Sequence, residues 1–152
     1  MNKDLILKLR EETGAGVMNA KAALDEFNGD FEKAREKLLK MGLEKADKKK
    51  DREIKAGLVY SYIHGGDGIG GRVGVLVKVG CETDFVAKTE DFKALCKELA
   101  MQISAMNPKD VEELLSMVYI RDGSKSVEDL IKGLIAKVGE NVVIDSFARL
   151  EI

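Results

Sequence analysis

Residues 58–80 read LVYSYIHGGDGIGGRVGVLVKVG, and the rest of the fold is built around them. Leu58 to Ile63 and Val73 to Val79 are β-branched and aromatic runs with the two-residue period of a strand, and GGDGIGG, residues 65–71, lies between them. The pattern predicts a β-hairpin. Gly66, Gly68 and Gly71 also satisfy G-x-G-x-x-G, but a dinucleotide fingerprint requires a helix after its glycines. Here the residues from Arg72 onward read as strand, so the chain is not expected to bind a nucleotide by itself.

Toward the C-terminus the period becomes helical. Phe92, Leu95, Cys96, Leu99, Ile103 and Met106 keep helical spacing, Thr89 is placed to cap the helix, and Pro108, the only proline, marks its end. A short helix is expected over 110–117. A longer one follows over 126–137, with Ser126 and Asp129 as a capping box and Gly139 as terminator. The tail alternates again, with Val142, Ile144, Ser146, Ala148, Leu150 and Ile152 expected on one face and the strand paired with the hairpin. Residues 56–152 therefore read as an α+β core, a small antiparallel three-stranded sheet with helices packed on one face.

Toward the N-terminus, Leu5, Ile6 and Leu9, then Ala20, Ala23, Leu24 and Phe27, then Phe31, Ala34, Leu38 and Met41 form three apolar helical stripes. Gly14, Gly29 and Gly42 are read as helix stops and Asp30 as the cap of the third helix, which gives a three-helix domain over residues 1–43. Residues 44–55 lose the apolar stripe. As a helix they place Glu44 with Lys48, Lys49 with Glu53 and Asp51 with Lys55, so a charged, solvated helical linker is expected.

The 152 residues carry 25 basic and 27 acidic side chains, a net charge of -2 that exerts no long-range pull on nucleic acid or anionic membrane. Hydrophobic residues at 45% suffice for a folded core. The N-terminal stretch has neither the apolar run nor the cleavage site of a signal peptide, no membrane span is present, and Cys81 and Cys96 are too few for a disulfide scaffold or zinc set. A cytoplasmic location is expected. Lone His64 reads as a surface histidine. No nucleophile motif, zinc-binding H-E-x-x-H, C-x-x-C or P-loop occurs, so the chain reads as a binding protein and not an enzyme, with no cofactor and no metal.

The segment CETDFVAK, residues 81–88, places Phe85 and Val86 at the exit of a strand just before a helix. Together with the preceding GRVGVLVKVG it strongly resembles the signature of bacterial elongation factor Ts. LKLREETGAGVMNAKAAL near the N-terminus and AKVGENVVIDSFARLE at the end resemble two further parts of that family, in the same order. The resemblance implies a guanine nucleotide exchange factor whose partner is the GTPase elongation factor Tu. It implies that the N-terminal domain is of ubiquitin-associated type and binds the nucleotide domain of the GTPase through Arg10, Val17 and Met18. It further implies that Thr83, Asp84, Phe85 and Val86 intrude beside the nucleotide and displace magnesium, and that short members pair as homodimers. Three departures from the family pattern stand out: only residues 107–125 lie between the first core helix and the helix that leads into the KVGEN motif, Asp145 and Ser146 replace a basic pair, and Gln102 replaces a histidine of some members. The alternative reading is a general protein-interaction module with a dimerising core.

Overall fold

The computed structural model describes residues 3–152, so the first two residues of the expected 1–43 domain lie outside the description. Helices α1 (Lys3–Thr13), α2 (Val17–Glu26) and α3 (Phe31–Asp47) bury Leu9, Ala20, Ala23, Leu24, Ala34 and Leu38 against one another, with Leu5, Ile6, Phe27, Phe31 and Met41 at the edge of the cluster. All three stripes read from the sequence meet there. Asp30 caps α3 by accepting from the Lys33 amide at 3.1 Å, which satisfies one of the orphan donors of a helix start.

Gly42 does not stop α3, as expected from the sequence, but lies inside it. A Cβ at this position would come within 3.0 Å of the Ala136 Cβ. The glycine therefore serves the close crossing of α3 over α7 (Val127–Val138) and not a terminus. The expected helical linker is also shorter than 44–55: helix continues only to Asp47, a turn follows, and residues 53–55 are irregular. Two interactions account for the break. Ala46 is buried in the core and Asp47 pairs with Lys132 at 2.9 Å, which anchors the helix end. The carbonyls of Lys50 and Arg52 are then taken at 3.2 and 3.0 Å by the Asn141 side-chain amide, a competitor to helical hydrogen bonding.

The hairpin forms as predicted. Strands β1 (Ala56–His64) and β2 (Val73–Cys81) pair antiparallel from Ala56–Cys81 to His64–Val73, and β3 (Val142–Glu151) joins the other edge of β2. Strand β2, and not a helix, follows the glycines. Helices α4 (Asp84–Ala87), α5 (Glu90–Met106), α6 (Val111–Ser116) and α7 complete a mixed fold of seven helices and one three-stranded sheet among the described residues. Val75, Val77 and Val79 of β2 pack with Phe92, Leu99, Ile103, Leu114, Val127 and Ile131 in the main core. Thr89 caps α5, Ser126 and Asp129 form the expected capping box of α7, and Gly139 ends that helix.

The tail departs from its expected alternation. Val79 pairs with Ile144 but Lys78 pairs with Ser146, so Asp145 is an extra residue, a β-bulge, and its carboxylate meets Lys78 at 3.4 Å. One inserted residue exchanges the two faces of everything beyond it. Val142 and Ile144 point to the core as expected, but Phe147 and Arg149 follow them, while Ser146, Ala148 and Leu150 turn to the uncovered face. Arg149 reaches back to cap the last turn of α5, donating from Nε and Nη2 to the Ser104 carbonyl at 3.2 and 3.0 Å.

Candidate functional site

Beyond Cys81 the chain leaves the sheet and makes a single helical turn, α4. Thr83 is extended, with φ -131° and ψ 155°, and its hydroxyl oxygen accepts from the Val86 amide at 3.4 Å as the cap of that turn. The four residues singled out by sequence part company here. Val86 is buried at 8% exposure and, with Ala87, packs into the main core, whereas Asp84 is exposed and Phe85 stands 86% exposed. Phe85 is the one phenylalanine or tyrosine among the described residues whose side chain is exposed; the others are buried or half-buried.

The base of the turn is fixed from two sides. Thr89, which caps α5, also donates its hydroxyl to the Val86 carbonyl at 2.7 Å, so the end of α4 and the start of α5 share one residue. On the other side the Glu140 carboxylate accepts from the Thr83 amide at 3.0 Å and from the Thr83 hydroxyl at 2.7 Å. Reciprocally, Glu82 accepts from the Asn141 amide at 2.7 Å and lies 3.7 Å from Arg52. The last backbone pair of the β2–β3 ladder is Cys81 with Val142, and beyond it these side chains continue the pairing. Below them the Cys81 thiol donates to the Thr83 carbonyl at 3.2 Å; burial, then the charge of Glu140, pushes that thiol above its ordinary range. Burial likewise pushes Cys96 up to about 12, so both cysteines are inert core groups.

Sequence reasoning missed Glu82, Glu140 and Asn141 as parts of this site. Each is polar at a strand or helix end, where polar residues are ordinary, and their partners are distant in the chain. The one signal is that all three lie inside CETDFVAK and AKVGENVVIDSFARLE, the stretches that carry the family resemblance.

The chain matches a family model described as elongation factor TS over residues 82–152, which begins at the residue before the Thr83 cap. Elongation factor Ts of Caldanaerobacter subterraneus subsp. tengcongensis is 42% identical, across 96% of this chain and 94% of that protein. Elongation factor Ts of Syntrophomonas wolfei subsp. wolfei is also 42% identical, across 98% and 89%, and that of Thermotoga maritima is 40% identical, across 100% and 96%. The chain belongs to the elongation factor Ts family. Membership places it among translation elongation factors. The first alignment spans 191 positions, so at least 39 of them (191 less 152) have no counterpart in the shorter chain.

The other residues inferred from the family resemblance lie on the N-terminal helices, apart from α4. Arg10 is in the last turn of α1, and Val17 and Met18 open α2; all three are exposed, Met18 to 74%. Leu7, one turn before Arg10 and also exposed, extends that surface and was not singled out by sequence. Gln102, by contrast, is buried: it donates to the Val118 carbonyl and accepts from the Ile120 amide, both at 3.0 Å. It holds the 118–120 segment against α5 and presents no surface to a partner. His64 is exposed and lies 2.8 Å from the Tyr62 hydroxyl. Among the described residues no group of three His, Cys, Asp or Glu side chains is disposed to hold a metal ion, and no helix is long and apolar enough to cross a membrane.

Proposed function

We propose that this chain binds elongation factor Tu in its GDP form and promotes GDP release, with Thr83, Asp84, Phe85 and Val86 forming the segment that intrudes beside the nucleotide and displaces its magnesium. The observation that carries the reading is Phe85, 86% exposed at the tip of a turn whose other apolar residues, Val86 and Ala87, are locked in the core. Within the segment Phe85 and Asp84 make contact, Thr83 caps and Val86 anchors.

The mechanism is linkage. An exchange factor that prefers the nucleotide-free GTPase weakens nucleotide binding by the factor of that preference. A thousandfold weakening needs about 4 kcal/mol of differential contact. Burying one phenylalanine supplies about 1.5–3 kcal/mol, and the remainder falls to the rest of the interface. Magnesium adds leverage, because its octahedral oxygen shell tolerates little distortion. No covalent step and no cofactor are required, so the chain acts as a binding protein and not as an enzyme, in the cytoplasm where translation takes place.

In this reading residues 1–43 form a ubiquitin-associated-type domain that binds the nucleotide domain of the GTPase through Arg10, Val17 and Met18; residues 44–55 link it to the 56–152 core. A homodimer belongs to the same reading. Val59, Ile63, Leu76 and Leu150 are exposed on the sheet face opposite the helices, an uncovered apolar surface that a second copy fits.

The test is release of labelled GDP from elongation factor Tu with and without the chain. Acceleration at micromolar protein is expected; an unchanged rate rejects the reading.

A further inference from the structure

The contact of Glu140 with Thr83 does more than finish a strand. A buried strand end needs one acceptor for its unpaired N–H. Glu140 instead takes both the amide and the hydroxyl of a single residue, at 3.0 and 2.7 Å, and that residue is the cap of the turn that carries Phe85. Donation of the Thr83 hydroxyl to a carboxylate also makes its oxygen a better acceptor for the Val86 amide, since hydrogen bonds in a chain polarise one another. The carboxylate is itself held in place. Its neighbour Asn141 donates its amide to Glu82 and its side chain to the carbonyls of Lys50 and Arg52, while Arg52 donates to the Gly139 carbonyl at 3.4 Å. Glu140 is thus fixed by both neighbouring residues and aims at one target.

Resting on the exchange reading above, we infer that Glu140 is a positioning residue for nucleotide exchange: its two-point grip on Thr83 fixes the orientation of α4 and so keeps Phe85 standing out from the core. Glu140 touches neither partner nor nucleotide in this role. It acts through Phe85, so its loss is bounded by the loss of Phe85.

The experiment compares Glu140→Ala and Glu140→Gln with the parent in GDP release from elongation factor Tu, alone and combined with Phe85→Ala. Glu140→Ala is expected to slow stimulated release about tenfold, equivalent to about 1.4 kcal/mol. Glu140→Gln, which keeps the shape and one acceptor, is expected to stay within about threefold. In the Phe85→Ala background the Glu140→Ala effect is expected to disappear, since residues that act as a unit are not additive. Parent-like release by Glu140→Ala, or a full additional loss in the double variant, overturns the inference. Amide hydrogen exchange supplies an arm independent of the GTPase and of any loss of fold. Glu140→Ala is expected to lose protection at the Thr83 and Val86 amides while β2 keeps its own, and Glu140→Gln to retain both. Unchanged protection at Thr83, or loss throughout the sheet, overturns the grip. If the parent chain releases no GDP, the exchange reading falls by the first assay and the grip is decided by the second.

Discussion

Replacing Phe85 by alanine separates a contact residue from a core residue in one variant. Only about one-seventh of the side chain is covered in the free protein, from its 86% exposure. Truncation therefore forfeits about 0.2–0.4 kcal/mol of the roughly 1.5–3 kcal/mol that full burial of a phenylalanine is worth. The urea midpoint is expected to move by no more than an ordinary surface substitution, about 0.5 kcal/mol. If the ring is buried against the GTPase during exchange, that roughly 1.5–3 kcal/mol is lost there instead, and stimulated GDP release slows by about tenfold to 150-fold. Asp84→Ala is expected to behave as a weaker version. The assay is a urea melt of each variant beside GDP release from elongation factor Tu, at matched concentrations so that self-association does not shift apparent stability. A destabilisation of about 3–5 kcal/mol, the cost of emptying a core phenylalanine site, refutes the reasoning. So does a stable variant that exchanges nucleotide at the parent rate.

Gly14 has φ +69°, and a Cβ there would lie 2.5 Å from the Lys137 Cα; Gly14→Ala is expected to cost about 2–5 kcal/mol from strain and overpacking, and a parent-like melting temperature would contradict the contact. Arg149, whose side chain is only 12% exposed, grips the Ser104 carbonyl through two nitrogens; Arg149→Met is expected to lower stability by about 1.5–3 kcal/mol in a urea melt, and Arg149→Lys to restore little because an ammonium cannot make the fork. Burial first, and the hydrogen bond to Glu98 second, push the Tyr119 hydroxyl up to about 12 from 10.0. Its folded value is the higher one, so its contribution to stability is complete below pH 10.0 and is lost as pH rises toward about 12; the difference between parent and Tyr119→Phe in tyrosinate absorbance isolates that ionisation. The open sheet face predicts concentration-dependent dimers by light scattering, reversed toward monomer by Leu76→Glu, and a constant 16.7 kDa across all concentrations argues against it.

Local chemistry was legible in the sequence. The caps at Asp30, Thr89 and Ser126 each join a side chain to a backbone amide three residues on, so the pattern that predicts them contains all their atoms. The hairpin and the apolar stripes are equally local. What was not legible depends on closure of the chain. Glu140 reaches Thr83 across 57 positions and Asn141 reaches Lys50 across 91, and no spacing rule covers either. The Asp145 bulge leaves a trace in the sequence, polar Ser146 on the expected apolar face and Phe147 on the opposite one, but only pairing with Lys78 and Val79 reveals the extra residue. Gly42 shows a different failure. Glycine serves both a helix stop and a close crossing, and the deciding atom, the Ala136 Cβ, belongs to another helix. For Phe85, the partner role proposed above came from the family resemblance and not from its position in the sequence.

A projecting ring can move a partner only if its own base yields less than the target does. Were residues 83–86 a free loop, contact with the proposed GTPase partner would fold Phe85 back and the interaction energy would reorganise this chain itself. A ligand shifts an equilibrium only by its differential affinity for the two states, so any such recoil subtracts directly from the effect. Every feature beneath Phe85 opposes recoil. Val86 and Ala87 are buried in the main core, Thr89 joins the turn to the 17-residue α5, and Glu140 holds Thr83 from the opposite side. The same stiffness extends to the N-terminal surface. Helix α7 packs on α3 where Gly42 meets Ala136 and where Lys132 pairs with Asp47, and it ends at Gly139, one residue before Glu140. Exposed Met18 and exposed Phe85 are therefore carried by parts that both pack on or adjoin α7. Two surfaces held at a fixed separation bind as one: engagement of the first sets a high effective concentration for the second, without a flexible linker to dilute it. Gly14→Ala tests this as well as stability, because Gly14 fits against Lys137 of the same helix. Loosening that joint is expected to weaken binding to elongation factor Tu even though Arg10, Val17, Met18 and Phe85 are all untouched, and a folded Gly14→Ala variant with parent affinity would show that the two surfaces act independently.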